Sequence, residues 1–427
     1  MFQIQRHLIS AARRLEYVYA SAMIFALTQG PIYKLWRTSE TYSAVPMAPT
    51  WQSSFFIVQI PAIMILARCW DPRRINQKSS LLLGAFCGWM LASTYWTNLS
   101  RYVLVDSLAL MISAMTGLYF GSRFSVKEAL CITWAGTQIG VLISYFAIKQ
   151  SWTESVDSNG NWVGIYFNRN SLGPVALIAL VAGLATFVTK ASRKIGAQRT
   201  LAVSVLGVMM AINITTLVRT RSITPLMAFL GAGVGVASWS VVVRFLKNRA
   251  RFSKSAVSVA RLWFISTAVF AVWLVFKFQD AIGQAVGSND IFSGRSAFWN
   301  FSWTGFLERP VIGWGWRAAW FTPEFLKREM FWTTAGSNWS HNGYLEILLG
   351  GGVIGFALFT SYAFYAINQL LTYRGFSSDS RWRLGATFFV LAASTQEVFI
   401  IGNHFLWVIL IAALCAPQSD EDYTSPS

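Results

Sequence analysis

A histidine at the start of an apolar run is the first residue of this chain that suggests chemistry. His341 is one of only three histidines, and it lies between Ser340 and Asn342. A neutral imidazole accepts a proton near neutral pH, so His341 is a candidate general base. The alternative is a purely structural helix start, with Asn342 or Gly343 as the cap. That alternative would not account for the histidine itself.

Arginines lie where a membrane protein usually avoids them. Arg219 and Arg221 occupy a very short connection between two apolar segments, and Arg295 follows Gly294. Charge at or just below a membrane interface is costly and usually functional, so these arginines are candidates for binding an anion. The alternatives are contact with lipid headgroups for the first two, and a salt bridge at the rim of the insert for Arg295.

The stretch Tyr166–Gly173 begins another apolar segment with polar residues. Asn170 or Ser171 is predicted to cap the helix that starts there. The first turn of a helix presents unpaired backbone N–H groups and the positive end of the helix dipole, which suit an anion. Arg169 and Asn170 therefore join the candidate substrate-binding residues, and Asn342, next to His341, is counted among them as well.

The composition indicates that most of the chain faces lipid. The 427 residues are 54% hydrophobic and only 12% charged, and 20 of them are tryptophan. A soluble domain averages about 25% charged residues, and tryptophan is enriched at membrane interfaces. The net charge of +17 is typical of basic cytoplasmic loops, so no nucleic-acid partner is expected. The four cysteines show no metal-binding or CxxC spacing.

Hydrophobic runs predict an all-α polytopic membrane protein with about twelve transmembrane helices, organised as a single transmembrane domain over residues 1–427. Gly402-Asn403-His404 interrupts the last apolar tract, which is too long for one span. The predicted spans are Tyr17–Tyr33, Ser53–Ala67, Leu81–Trp96, Tyr102–Phe120, Ala129–Ile148, Ser171–Val188, Leu201–Val218, Ile223–Val243, Leu262–Phe278, Tyr344–Leu371 and two helices within Leu384–Ala416.

The placement of basic residues predicts which side each segment occupies. Most of the 35 lysines and arginines fall on segments that are cytoplasmic if both termini are cytoplasmic. The large insert between spans 9 and 10, residues 280–342, is then an extracytoplasmic loop. It contains 14 aromatic residues, and the spacing from Phe298 to Phe306 predicts an amphipathic helix in the interface plane. Asp106 and Glu397 are the main charges inside apolar tracts.

The acidic residues of the insert are scattered. They form neither a metal-binding triplet nor the carboxylate pair of a glycoside hydrolase, so no metal and no cofactor is expected. An anionic group bound at the arginines would need positive charge aimed at it rather than a strong acid. A hydroxyl group that reacts beside His341 would need a base at hydrogen-bond distance.

Taken together, the motifs resemble those of the O-antigen ligase and polymerase family. The resemblance is strongest over about 168–355, and each motif alone is weak. The motifs are Asn-Arg-Asn-x-Leu-Gly at 168–173, the Arg-Ser step at 221–222, Gly-Arg at 294–295 with Trp299, Pro-x-x-Gly-x-Gly at 310–315, and His-Asn-x-x-Leu at 341–345 leading to Gly352-x-x-Gly355.

The resemblance implies a fold like that of the GT-C glycosyltransferases, and metal-independent transfer from an undecaprenyl-diphosphate-linked glycan donor to a glycan or glycolipid acceptor. It assigns Arg221 and Arg295 to the diphosphate and His341 to the acceptor. Arg309 and Arg317 are loose matches to further loop arginines. The family's Ser-Arg pair is Thr-Arg at 220–221 here, which leaves the choice between Arg219 and Arg221 open.

The expected location is the cytoplasmic membrane of a bacterium, with the active site on the extracytoplasmic side. Direct displacement would invert the anomeric centre of the donor sugar. Two other classes remain open. A lipid-linked glycan flippase or other transporter would need no histidine at the outer face and would show midplane charges or inverted repeats. A scaffold membrane protein would not need the motif set.

Overall fold

The computed structural model describes residues 2–36, 49–71, 75–191, 197–248, 258–267, 295–323, 339–371 and 376–415. Across these ranges the chain is mostly helical, without a β-strand, and one isolated bridge joins Val156 to Trp162. The helices are α1 Phe2–Leu27, α2 Gly30–Trp36, α3 Pro49–Arg68, α4 Gln77–Ala92, α5 Ser100–Arg123, α6 Val126–Lys149, α7 Arg169–Ala191, α8 Ala197–Thr220, α9 Ile223–Asn248, α10 Arg295–Glu308, α11 Gly343–Leu370, α12 Ser378–Ala393 and α13 Phe405–Cys415.

Several of these helices can cross a membrane. By length and composition six qualify within the described ranges, namely α5 to α9 and α11, and shorter apolar stretches lie in α3 and α13. This confirms an all-α, multi-pass membrane protein. The count of twelve spans stays a prediction. Most of the ninth predicted span, Leu262–Phe278, lies outside the described residues, as does much of the 280–342 insert.

Two predicted spans differ in detail from the helices observed. The first is broken, because α1 ends at Leu27 and α2 starts at Gly30. Pro31 lacks the N–H that would continue the helix, and its ring would clash with the preceding turn. In the last tract the predicted break is confirmed but is longer, since residues 394–404 are not α-helical.

The chain forms two compact units, and the first comprises Met1–Trp70, Met115–Met227 and Asn403–Val408. Within it α1 packs on α6, α6 on α7, and α7 on α8. The buried amides of Gln138 and Asn213 exchange two hydrogen bonds, of 3.1 and 2.9 Å, between α6 and α8. Because both amides are satisfied, this buried polar pair fixes how the two helices meet.

The second unit comprises Asp71–Ala114, Ala228–Gly402 and Ile409–Ser427. Here α4, α10 and α12 pack against the long helix α11. Trp314 and Trp320 form a buried cluster with Ala319 and Leu349, beneath α10 and against α11. The second unit therefore contains both the start of α11, where His341 lies, and the loop that follows α10.

Candidate functional site

His341 lies in a tight turn that starts α11. Asn342 caps the helix, because its Oδ1 accepts hydrogen bonds from the backbone N–H groups of Tyr344 (3.0 Å) and Leu345 (3.2 Å). The predicted cap at Asn342 is confirmed. The capping role of Asn342 does not explain His341, whose backbone adopts a left-handed conformation with φ of 51°. A non-glycine residue in a sparsely populated region such as this costs of order 1–3 kcal/mol, and such residues cluster at functional sites.

Buried hydrogen bonds hold the turn on the side facing α11. The carboxylate of Glu346 accepts from the backbone N–H of Ser340 (3.0 Å) and from its hydroxyl (2.9 Å). The indole N–H of Trp320 donates to the same carboxylate at 3.0 Å. The Ser340 hydroxyl also contacts the Asn342 carbonyl at 2.7 Å. This network offsets the strain at His341.

The segment after α12 holds the turn from the other side. The Asn342 amide donates to the Thr395 carbonyl at 3.1 Å, and the Gly343 N–H donates to the Ser394 carbonyl at 2.8 Å. The same segment continues into Gln396 and Glu397. The break between α12 and α13 therefore brings polar groups from the last apolar tract to the start of α11.

Glu397 joins two of the three predicted catalytic residues. Its Oε2 lies 3.0 Å from Nδ1 of His341, and its Oε1 accepts from Nη2 of Arg295 at 2.7 Å. Nη1 of Arg295 donates to the side chain of Gln396 at 3.1 Å. The side chains of all three residues of the Arg295–Glu397–His341 group are largely buried. The alternative of a salt bridge for Arg295 is thus observed, but its partner also contacts the histidine.

The tautomer of His341 follows from its neighbours. The indole N–H of Trp339 lies 3.2 Å from the same Nδ1, and an indole only donates whereas a carboxylate only accepts. Nδ1 cannot satisfy both. We assign the proton to Nδ1, because the bond to the Glu397 carboxylate is shorter and charge-assisted. Nε2 then carries the basic lone pair.

Arg309 and Arg317 lie in the loop after α10, and they differ in burial and in contacts. Arg317 has a side chain that is 4% exposed, and its Nη1 donates to the Asp106 carboxylate at 3.0 Å. Its backbone is also left-handed, with φ of 57°. The Asp106 carboxylate balances the charge of Arg317, since a guanidinium keeps its proton in proteins. Arg309 is exposed and lies 4.1 Å from the centre of the Trp314 ring.

The first unit contains the remaining candidates, at the start of α7 and at the junction of α8 and α9. The predicted cap at Asn170 or Ser171 was wrong. Asn168 caps the helix, because its Oδ1 accepts from the N–H of Ser171 at 2.9 Å. The helix starts two or three residues earlier than that prediction implied, so Asn170 already lies in the first turn. Its side chain accepts from the Ser222 hydroxyl at 3.0 Å instead.

That contact joins the start of α7 to the arginine-bearing junction. Exposed and buried residues alternate along this junction. Arg219 and Arg221 are exposed, whereas Thr220 and Ser222 are buried. Arg221 has a left-handed backbone, with φ of 49°. Among the residues that the structure describes, neither arginine makes an ion pair. Arg169 begins the helix next to Asn170 and is partly buried.

The carboxylate of Asp157, near Arg169, accepts hydrogen bonds from the turn in which it lies. Asp157 accepts hydrogen bonds from the backbone N–H groups of Asn159 and Asn161, both at 2.9 Å, and from the Asn161 amide at 2.8 Å. Partial burial acts to raise the pKa of Asp157, but these hydrogen bonds and the nearby Arg169 lower it overall. The carboxylate is therefore ionised, and most of its hydrogen-bonding capacity is used locally.

Sequence reasoning missed the acidic and amide partners Glu346, Gln396 and Glu397. A signal existed for Glu397, since ionisable residues inside apolar tracts are rare and often functional. Nothing in the sequence paired it with His341. Within the described ranges no three His, Cys, Asp or Glu side chains are grouped as a metal site would require.

The family comparison agrees with the motifs. The family model described as O-antigen ligase matches residues 208–360, and a search of curated proteins found no match. The matched segment contains Arg221, Arg295 and His341, whereas Arg169 and Glu397 lie outside it. The resemblance to the O-antigen ligase and polymerase family is confirmed over this segment. The chain is a multi-pass membrane protein whose residues 208–360 match the O-antigen ligase family model.

Proposed function

We propose that this protein is a membrane glycosyltransferase of the O-antigen ligase or polysaccharide polymerase type. It transfers or polymerises a glycan from an undecaprenyl-diphosphate-linked donor onto a sugar hydroxyl, on the outer face of the bacterial cytoplasmic membrane. The observation that carries the proposal is the Arg295–Glu397–His341 group at a strained turn, in which Arg295 and His341 belong to the segment that matches the O-antigen ligase family and Glu397 lies beyond it.

His341 activates the acceptor in this proposal. Glu397 holds the proton on Nδ1, so Nε2 takes the proton of the sugar hydroxyl as the hydroxyl oxygen attacks. The carboxylate also stabilises the imidazolium that forms, as an orienting acid does in other base-catalysed transfers. The hydrogen bonds to Glu346 and Thr395 keep the turn in place while the charge changes.

The donor diphosphate is bound by exposed arginines that make no ion pair within the described residues. Arg221 and Arg219 are exposed, and a guanidinium presents a fixed fork to phosphate oxygens. Arg169 and Asn170, in the first turn of α7, extend this basic group. Arg295 is already balanced by Glu397, so its role is to orient that carboxylate as well as to contact the donor.

The reaction is a direct displacement. A bond forms between the acceptor oxygen and the anomeric carbon, and the bond from that carbon to the phosphate oxygen breaks. The electron pair leaves with the lipid diphosphate, whose charge the arginines stabilise, and the configuration at the anomeric carbon inverts. No metal is required, because the leaving group is already a stable anion. Asn342 positions the histidine, Arg309 contacts glycan or lipid, and Arg317 supports the fold.

The test is transfer by the purified full-length protein in detergent. The substrate is a lipid-diphosphate oligosaccharide, supplied with and without a glycolipid acceptor, and product length is read on a gel. Single additions to the acceptor indicate a ligase, and a ladder indicates a polymerase. Failure to form any glycosidic product, combined with movement of the lipid-linked glycan across proteoliposomes, would instead support a transporter.

A further inference from the structure

The long helix α11 is interrupted inside an apolar span. Gly352 has φ of 65° and ψ of −166°, which are not helical values. A continuous helix would bond the N–H of Val353 to the Leu349 carbonyl, and the N–H of Ile354 to the Gly350 carbonyl. The break removes these bonds. In hydrocarbon, every unpaired backbone group costs several kcal/mol, so the lost partners must be replaced.

A loop from the large insert replaces them. The N–H groups of Trp314 and Gly315 donate to the carbonyls of Leu349 (2.9 Å) and Gly350 (3.0 Å). In return, the Pro310 carbonyl accepts from the N–H of Val353 at 2.8 Å. The Val311 carbonyl accepts from the N–H of Ile354 at 3.4 Å. We call Pro310–Gly315 the paired segment, since its backbone bonds directly to the interrupted helix.

Glycines allow this close approach. A side chain on Gly313 would meet the backbone of Gly350 at 2.6 Å, which real Cβ atoms essentially never do. A side chain on Gly352 would likewise collide with the backbone of Val311. The Pro-x-x-Gly-x-Gly and Gly-x-x-Gly motifs therefore have a physical role, which is to insert one backbone into the break of another.

The length of α11 gives a measure of how deep this contact lies. Gly351 follows Gly343, the first residue of α11, by eight residues, or about 12 Å at the rise of an α-helix. The Gly351 carbonyl accepts from the indole N–H of Trp89 at 2.8 Å. If α11 enters the membrane at its first residue, the paired segment lies inside a hydrocarbon core that is about 30 Å thick.

One edge of this assembly is apolar and exposed. Val311 is 59% exposed and Val353 is 51% exposed, and their backbones are joined through the Pro310 and Val311 carbonyls. Leu307, 57% exposed, precedes Val311 by four residues, and the exposed side chains of Glu308 and Arg309 lie between them in the chain. Ile312 and Trp303 extend the same set. A soluble loop would normally carry polar residues here, whereas a lipid-facing surface carries this composition.

We propose that the paired segment is a re-entrant loop, entering the leaflet on the side of the insert, with its exposed edge in contact with lipid acyl chains. The edge consists of Trp303, Leu307, Val311, Ile312 and Val353. The loop then fixes the depth of the candidate site in the membrane. Trp320, farther along the same loop, bonds to Glu346 and so to the turn of His341.

Depth-dependent spin labelling of the full-length protein in phospholipid vesicles tests this placement. Single cysteines are introduced at Val311 and Ile312 after Cys69, Cys87, Cys131 and Cys415 are replaced by alanine. Val353→Cys serves as the control within a span, and Asn159→Cys as the control in an exposed turn. Collision rates with oxygen, which partitions into lipid, are compared with those of a water-soluble nickel complex.

Labels at Val311 and Ile312 should match the label at Val353, with an oxygen-to-nickel ratio several-fold above that at Asn159. A ratio equal to that at Asn159 would place the loop in water and overturn the proposal. Low collision with both reagents would mean that protein covers the edge, for instance a second copy of the chain, and would also overturn it. Neither result depends on transferase activity.

A second measurement uses the unmodified chain. Vesicles containing a phospholipid with a diazirine on its acyl chain are irradiated, and labelled peptides are mapped by mass spectrometry. Peptides spanning 303–312 should be labelled as strongly as those containing Val353. Absence of label from 303–312, alongside labelling of Val353, would contradict lipid contact even if the cysteine variants fail to fold.

Discussion

Two pairs of arginines, one pair in each unit, differ in burial and in partners. In the second unit Arg295 and Arg317 are buried, and each has a carboxylate partner, Glu397 and Asp106. In the first unit Arg219 and Arg221 are exposed and, within the described residues, lack an ion pair. A buried charge is tolerated only when it is paired, whereas an exposed unpaired charge is available to a ligand. The same residue type is therefore balanced by a buried carboxylate in one case and exposed to solvent in the other.

In the proposed function, these arginines have different roles. Arg219 and Arg221 bind a diphosphate, and the balanced Arg295–Glu397 pair orients the base His341. Variants on the two sides should then fail in different ways. Loss of donor affinity is expected on one side, and loss of turnover or stability on the other.

The largest effect on rate is expected at His341. His341→Ala should lower the transfer rate by about 100- to 10,000-fold, the usual contribution of a general base. Donor affinity should be unchanged, because donor binding is assigned to the exposed arginines. Transfer rate and donor binding are measured on the same preparation, with Asn300→Ala on the exposed face of α10 as the control. Full transfer activity of His341→Ala would show that the histidine has only a structural role at the start of the helix.

Arg317 should matter most for stability. Arg317→Ala leaves Asp106 buried without its partner, which should cost about 3–5 kcal/mol and lower the thermal unfolding midpoint in detergent. The double variant Arg317→Met with Asp106→Leu removes both charges, and it should recover most of the loss. If Arg317→Ala unfolds at the wild-type temperature but loses donor binding, Arg317 belongs with the ligand-binding arginines instead.

Arg221 should show the opposite pattern. Arg221→Ala should reduce kcat/KM by about 100-fold, or ~3 kcal/mol, through weaker donor binding, with no change in the unfolding midpoint. Arg221→Lys should recover only part of the activity, since lysine lacks the planar fork. Arg244→Ala, an exposed arginine at the other end of α9, is the matched control. Equal effects at both positions would point to general electrostatics, and a larger effect at Arg219 would reassign the contact.

Removal of metal should have the smallest effect. Transfer should continue in EDTA at the untreated rate, because the proposed mechanism stabilises the leaving diphosphate with arginines alone. The assay is run with the purified protein before and after chelation. Activity that is lost in EDTA and restored by magnesium or manganese would show that a metal ion shares this role.

Parts of this arrangement could be predicted from the sequence, because they depend on local rules. Apolar runs gave the helices, and the Asn342 cap followed from residue preference at a helix start. Gly313 and Gly352 entered the sequence analysis only as members of family motifs, and their close backbone approach was not predicted. The wrong cap at α7 reflects how little local sequence separates Asn168 from Asn170 when both have suitable side chains.

The partners of the key residues could not be predicted, since they come from distant positions. Glu397 is 56 residues from His341 and 102 from Arg295 along the chain. Asp106 and Arg317 are 211 residues apart. Such pairs depend on how helices pack, which one sequence does not encode in any short pattern. Left-handed backbone at Arg221, Arg317 and His341 was likewise invisible before the structure.

Glu397→Gln tests the central claim most directly, when donor binding and turnover are measured side by side with Arg221→Ala. Glutamine keeps the size of Glu397 but removes the charge that orients His341 and balances Arg295. Glu397→Gln should bind the lipid-diphosphate donor as the wild type does, yet lose about 100-fold in kcat. Arg221→Ala should lose donor affinity instead. Wild-type turnover in Glu397→Gln, or wild-type donor affinity in Arg221→Ala, would contradict the division between the two groups of arginines.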